Sequence, residues 1–207
     1  MIGTWKRGPG AELFQALEAA LGEIPILAED LGVITPDVVA LRLAIGAPGM
    51  VVLQFAWGGG PTNTHLPHNI YENCFVYPGT HDNHTTVGWW QNGAQPYERT
   101  LIREYTGMTG DDLAWTFIHE AFKSVAQTAV VTMQDVMRLD DSARMNTPGR
   151  AEGNWTWRVG ETWVWDHLRS EQAALRHLIQ QVDRLAPGAP PPALAPSGKV
   201  GTITFHP

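Results

Sequence analysis

The sequence predicts an α/β protein built as half of a (β/α)8 barrel, and two observations carry that prediction. Four short apolar segments of strand length alternate with amphipathic helical patterns in the order β-α-β-loop-β-α-α-β-α, which favours a parallel sheet with covering helices. Strand starts at residues 24, 50 and 74 recur at the spacing of barrel units, since eight such units use roughly 250 residues. Four units make half a barrel. A complete doubly wound sheet is the alternative, but no glycine fingerprint follows a first strand to support nucleotide binding.

In chain order, Ala11 to Leu21 carries Leu13, Phe14, Leu17 and Leu21 on one helical face. Ile24 to Ala28 reads as a buried strand. Thr35 as N-cap and Pro36 at the first helical position start a helix that runs to about Ile45. Met50 to Phe55 and Cys74 to Tyr77 are the second and third strands. Thr109 to Asp112 fits a capping box ahead of a helix over Leu113 to Ala126. Ala129 to Met133 is the fourth strand, and Ser170 to Leu185 repeats the helical pattern with Leu175, Leu178, Ile179, Val182 and Leu185. From Ala186 to Pro207, Pro187, Pro190, Pro191, Pro192 and Pro196 stand among Ala and Gly, which predicts a disordered tail behind a domain of residues 1–185.

Composition narrows the function. The 207 residues are 43% hydrophobic and 17% charged, and no apolar run approaches the roughly 18 residues of a membrane helix, which predicts a soluble chain. The opening MIGTWKRGPG has no apolar stretch behind its basic residues, so it does not read as a secretory signal. A single cysteine, Cys74, excludes a disulfide framework and points to a reducing compartment. A net charge of −7 argues against a general nucleic-acid binder. Nine tryptophans, together with 21 glycines and 15 prolines, suit an enzyme with a wide cleft for a polar substrate.

Parallel barrels place their reactive groups just after the C-terminal ends of the strands. Those positions read Ala28-Glu-Asp-Leu-Gly32, Gln54-Phe-Ala-Trp57, Gly79-Thr-His-Asp-Asn83 and Gln134-Asp135, so three of the four bring carboxylates to one rim. Carboxylates gathered in a partly desolvated cleft repel one another, so one holds its proton to higher pH. Glycoside chemistry needs that division: a protonated carboxyl at the leaving oxygen and an ionised one facing the anomeric carbon. Helix capping is the competing use of acids at these positions. Trp57, Trp89, Trp90, Trp155, Trp157, Trp163 and Trp165 fall largely in loops after strands, where flat rings pack on a pyranose face; core packing accounts for at least half of them. His65, His68, His81 and His84 offer a zinc site, but Pro67 inside His65-Leu-Pro-His68 bars a regular helix, and no His-Glu-x-x-His motif occurs. Cys74, inside an apolar strand, reads as a core residue.

Several of these segments carry a resemblance. Pro25-Ile-Leu-Ala-Glu-Asp-Leu-Gly32, Pro48-Gly-Met-Val-Val-Leu-Gln-Phe55, Tyr77-Pro-Gly-Thr-His-Asp-Asn83 and Ala143-Arg-Met-Asn-Thr-Pro-Gly149 are similar to motifs of the 4-α-glucanotransferases, the amylomaltases and disproportionating enzymes. Gly153-Asn-Trp-Thr-Trp-Arg158 and Trp5-Lys-Arg-Gly-Pro-Gly10 fit the same pattern, and the match runs from about residue 4 to 185. The resemblance implies retaining transfer of α-1,4-glucan segments between malto-oligosaccharides on an α-amylase-like (β/α)8 barrel, without metal or organic cofactor. It implies that Glu29 is the general acid/base and Asp82 the transition-state stabiliser. His81 would bind a sugar hydroxyl, and Gln54, Trp57, Asn83 and Asn146 complete the expected substrate-binding set. The residues alone would have made Asp82 the nucleophile. In the family the nucleophilic Asp lies in an Arg-x-Asp-His setting after the fourth strand, and no such motif occurs in this sequence. The four strands would then be the fifth to the eighth of the barrel, and the chain a C-terminal half. A glycan-binding or partner-interaction protein without turnover is the alternative. His84 stands where the family usually has an acid or amide. Bacterial members of the family are cytoplasmic and those of plants and algae enter the plastid.

Overall fold

The third predicted segment forms the strand with the limits expected of it. In the computed structural model, which describes residues 3–4, 6–160 and 168–185, Cys74–Tyr77 is the central strand of a three-stranded parallel sheet. Cys74 and Val76 point into the core at 0% exposure. Calling this strand β2, its neighbours are β1 (Gly49–Val52) and β3 (Thr128–Ala129), in the order β1-β2-β3. Gly49 pairs with Cys74 and Val52 with Tyr77, while Phe75 pairs with Thr128.

The described residues divide into two compact units between Trp157 and Arg158. The first holds the sheet and six helices: α1 (Ala11–Leu21), α2 (Pro36–Ala44), α3 (Thr86–Gly88, running on into a π turn at Trp89–Gly93), α4 (Pro96–Thr106), α5 (Leu113–Lys123) and α6 (Met133–Val136). Its core is Val51, Leu53, Trp57, Cys74, Val76, Trp89, Trp90, Ile102, Leu113 and Phe117, so sheet and α3–α5 pack together. The second unit contains α7 (Arg169–Gln181), in which Leu178 is buried. The proline-rich stretch 186–207, Trp163 and Trp165 lie outside the described residues.

Four expectations are corrected. The segment Ile24–Ala28 is not a strand, although it runs beside β1 and Ala28 N–H donates to Pro48 O at 2.9 Å. A parallel ladder would next send Met50 N–H to the Ala28 carbonyl. That carbonyl instead accepts Asp30 N–H, and Met50 N–H goes to the Asp30 carboxylate at 2.7 Å. The second strand ends at Val52 rather than Phe55, and Leu53–Phe55 form a 3-10 turn. Pro78, next to the end of β2, has no N–H to extend the ladder, and only its carbonyl is used, by Gln54 N–H. β3 stops at Ala129 because Thr132 caps α6, its hydroxyl accepting Asp135 N–H at 3.2 Å. The cap of α5 is Asp112, accepting Trp115 N–H, and not Thr109. The one complete capping box is Gln95 with Glu98 on α4, among the described helices. The apolar face of α1 is present in sequence, but none of its residues is buried.

Candidate active site

An extended backbone turns alternate side chains to opposite sides, and the segment before residue 32 keeps that period without a ladder. Leu27, Glu29 and Leu31 line one cleft of about 890 Å³, while Asp30 turns the other way, toward α2 and β1. The opposite wall is the turn after β2, where Gly79, Thr80, His81, Asp82 and Asn83 follow Tyr77-Pro78. Glu29, His81, Asp82 and Asn83 therefore meet in one cavity at the carboxyl ends of the parallel strands.

The two carboxylates are held differently. Glu29 makes no hydrogen bond or ion pair among the described residues. Its charge reaches Tyr77, whose phenol is pushed up from its ordinary value first by burial and then by Glu29. Asp82 is built into a network. Its Oδ1 accepts the Asn146 amide at 2.5 Å, its carbonyl accepts Arg144 Nη2–H at 2.7 Å, and Arg144 Nε–H donates to Asn146 O at 2.8 Å. Asn146 N–H donates to His81 O at 3.1 Å, so the 144–146 strip and the 81–82 turn brace each other. His84 and Asp141 meet at 2.5 Å behind this turn. Asp82 Oδ2 has no partner among the described residues.

Asn146 thus meets the site by gripping Asp82. Like Asn146, two further expected binding residues are not on the cleft wall. Gln54 is buried, its amide donating to His84 O at 3.0 Å, so it supports the turn that carries Asp82 from behind. Trp57 is 1% exposed and stacks on Phe117 at 5.6 Å and 15°, a core position. Trp89 and Trp90 are buried as well. The aromatic face beside the site is Trp155, half exposed, with its ring 5.0 Å from that of His81. The acids after the other strands also leave the site. Asp30 pairs with Arg42, and Asp135 is buried, accepting Thr86 N–H at 3.0 Å, with burial pushing its carboxyl up.

Sequence reasoning placed a loop after the second strand but did not foresee that residues 53–73 reach the cleft. This loop brings Phe55 and His65 to the cleft, their rings edge-on at 5.6 Å. His65 Nδ1 accepts Val52 N–H at 3.1 Å, the amide left over where β1 ends, so the ring proton sits on Nε2. Burial, outweighing the Asp30 charge, holds His65 below its ordinary range. The signal available was the loop length itself, since connections this long that hold only short 3-10 turns are usually functional segments or linkers. The four histidines considered for zinc separate: His68 bonds Tyr105 and Pro61, His81 lies by Asp82, and His84 bonds Asp141. Among the described residues no group of three His, Cys, Asp or Glu could hold a metal ion, and no described helix is long and apolar enough to cross a membrane.

A parallel α/β sheet with two carboxylates in the cleft at its carboxyl end, and the half-exposed Trp155 ring against His81 of that cleft wall, has the layout of an α/β enzyme site. The chain belongs to the 4-alpha-glucanotransferase family, whose sequence pattern matches residues 1–162. It is 52% identical to the chloroplastic/amyloplastic 4-alpha-glucanotransferase of Arabidopsis thaliana, over 89% of this chain and 32% of that one. It is 48% identical to the 4-alpha-glucanotransferase of Thermus thermophilus, over 88% of this chain and 37% of that one. Among solved structures it is similar to the amylomaltase of Streptococcus agalactiae in complex with acarbose, with a TM-score of 0.81, 31% identity, and coverage of 88% of this chain and 36% of that one. The amylomaltase of Corynebacterium glutamicum, at 18% identity and a TM-score of 0.56, shares the fold. The chain spans about a third of the length of the curated relatives it matches.

Proposed function

We propose that these residues serve retaining transfer of α-1,4-glucan segments between malto-oligosaccharides, with Glu29 as general acid/base and Asp82 as transition-state stabiliser. The observation that carries the reading is the single cleft that holds both carboxylates, one without a partner among the described residues and one fixed. In this reading β1, β2 and β3, with the extended segment before residue 29, correspond to strands of the barrel's second half, the fifth to the eighth. A general acid must exchange its proton with substrate, and an unpartnered carboxyl is free to do so. Glu29 protonates the glycosidic oxygen as it leaves, and later takes the proton of the acceptor's 4-hydroxyl. The nucleophile comes from outside these 207 residues, which hold no Arg-x-Asp-His. Asp82, with Oδ1 tied to Asn146, offers Oδ2 to hydroxyls of the sugar being cleaved, contacts that tighten as the ring flattens toward an oxocarbenium ion. Trp155 and His81 give that sugar a flat wall.

The test compares two isosteric variants, in the presence of the polypeptide that supplies the Arg-x-Asp-His carboxylate. Glu29→Gln keeps the shape and removes the proton cycle, so transfer from maltotriose falls about 10²–10⁴-fold. α-Glucosyl fluoride needs little protonation, and with it Glu29→Gln recovers much of its glycosyl-enzyme formation while Asp82→Asn does not. Equal rescue of both variants refutes the roles. The missing motif favours a second reading, glycan binding without turnover. Quenching of Trp155 fluorescence by maltotriose, with no product from any combination, would support it.

A further inference from the structure

We infer that Asp30 is a positioning residue for Glu29: its carboxylate replaces the missing strand ladder and holds the Glu29 segment against β1. The inference rests on the reading of Glu29 as the acid/base. The segment before residue 32 forms no strand, so its backbone is not fixed by a ladder. Ala28 N–H to Pro48 O joins it to the sheet just ahead of Glu29. Just beyond Glu29, Asp30 ties it once to β1 and once to α2. Oδ1 takes Met50 N–H at 2.7 Å, and Oδ2 pairs with Arg42 Nε at 3.1 Å, both side chains about nine-tenths buried.

Arg42 is itself fixed. Its guanidinium donates to Ala47 O at 3.3 Å and lies 5.0 Å over the Tyr71 ring. Gly49 leaves the space this cluster needs, because a Cβ there would stand 2.3 Å from the Tyr71 hydroxyl and 2.5 Å from Asp30 Oδ2. Burial first, and then the Asp30 charge, push the Tyr71 phenol up to about 12, so it stays a neutral neighbour throughout the working range. A helix, a strand and the loop before β2 thus converge on one carboxylate adjacent to the acid/base. Asp30, Arg42 and Tyr71 do not line the cleft, which makes Asp30 a residue that acts through Glu29.

The experiment is residue-resolved amide exchange on the full chain, paired with glucan transfer measured as in the preceding section. In Asp30→Ala, exchange at Ala28 and Met50 rises at least tenfold, while the Val130 amide, bonded to Val76 O on the far side of β2, keeps its wild-type rate. Asp30→Asn, whose amide oxygen can still accept Met50 N–H, restores protection at Met50. Where transfer is measured, Asp30→Ala lowers kcat at least tenfold with KM within about twofold, because a displaced acid weakens the transition state more than substrate binding. Uniformly raised exchange through β2 and β3 would make Asp30 a general stability residue, and unchanged exchange at Ala28 would remove its tie to Glu29. Either result overturns the positioning role and leaves Glu29's own role standing. Glu29→Gln with undiminished transfer overturns the acid/base reading while the exchange result stands.

Discussion

Gly79 is the position where a single methyl group tests the support beneath Asp82. It is buried, and its φ is not in the left-handed region, so alanine meets no backbone strain there. A Cβ would stand 2.4 Å from Gln54 Nε2, 3.2 Å from Gln54 Cδ and 3.5 Å from Asn83 Cβ. The tip of a glutamine yields easily in open solvent, but this one is buried and donates to His84 O. Crowding costs about 1–3 kcal/mol, and losing that bond with donor and acceptor left buried costs a similar amount, so Gly79→Ala should lose about 2–6 kcal/mol. Urea unfolding followed by tryptophan fluorescence measures it. The diagnostic is the double variant. With Gln54→Ala the obstructing atoms are gone, and adding Gly79→Ala should cost under about 1 kcal/mol, a coupling well outside additivity. Additive losses, or a Gly79→Ala variant as stable as wild type, would refute the contact.

Two predictions concern protonation. His65 is held below its ordinary value near 6.5, so below that pH the unfolded chain binds more protons than the folded one, and stability falls as pH drops from about 6.5 toward the folded pKa. Protonated His65 also cannot accept Val52 N–H; His65→Asn, which keeps an acceptor near the Nδ1 position, should flatten the unfolding free energy between pH 7 and 5. Asp135 is pushed up by burial, so the folded state binds more protons above the ordinary carboxylate value, and stability should fall as pH rises through its folded pKa. Asp135→Asn should match or exceed wild-type stability at pH 7, while Asp135→Ala, which strands Thr86 N–H, should lose about 1–3 kcal/mol in the same urea titration.

What the sequence made legible follows the range of the forces involved. β2 was readable because its four residues form a short apolar run of strand length, and α1 because 3.6-residue periodicity is local. The ends of β1 and β3 were not readable, because Pro78 and the Thr132 cap act from outside the apolar run. Glu29 and Asp82 were legible as residues just past strand-like segments, and the cleft joins them. Asp135 and Asp30 occupy equivalent sequence positions but became a buried backbone acceptor and an ion-pair partner. Position after a strand does not say which way a carboxylate turns. Trp57 failed for a related reason: the turn at Leu53–Phe55 swings it onto Phe117, and no pattern in the sequence announces a 3-10 turn inside an apolar run.

The adjacent pair Glu29-Asp30 gathers these threads into a register argument. On an extended chain a slip of one residue moves every side chain to the other face, and registers are secure only where something specifies them. Here the Ala28 amide and the Asp30 carboxylate specify it from both sides of Glu29. Slipped by one, Asp30 would face the cleft and Glu29 would be driven toward Arg42 with one methylene too many for the 2.7 Å bond to Met50 N–H and the 3.1 Å pair with Arg42. The shorter acid suits the tie to the main chain, and the longer one suits reach into the cleft. Their order along the chain is therefore part of the site. Exchanging them as Glu29→Asp with Asp30→Glu preserves charge and composition but should loosen the segment, for the geometry requires each length in its own place.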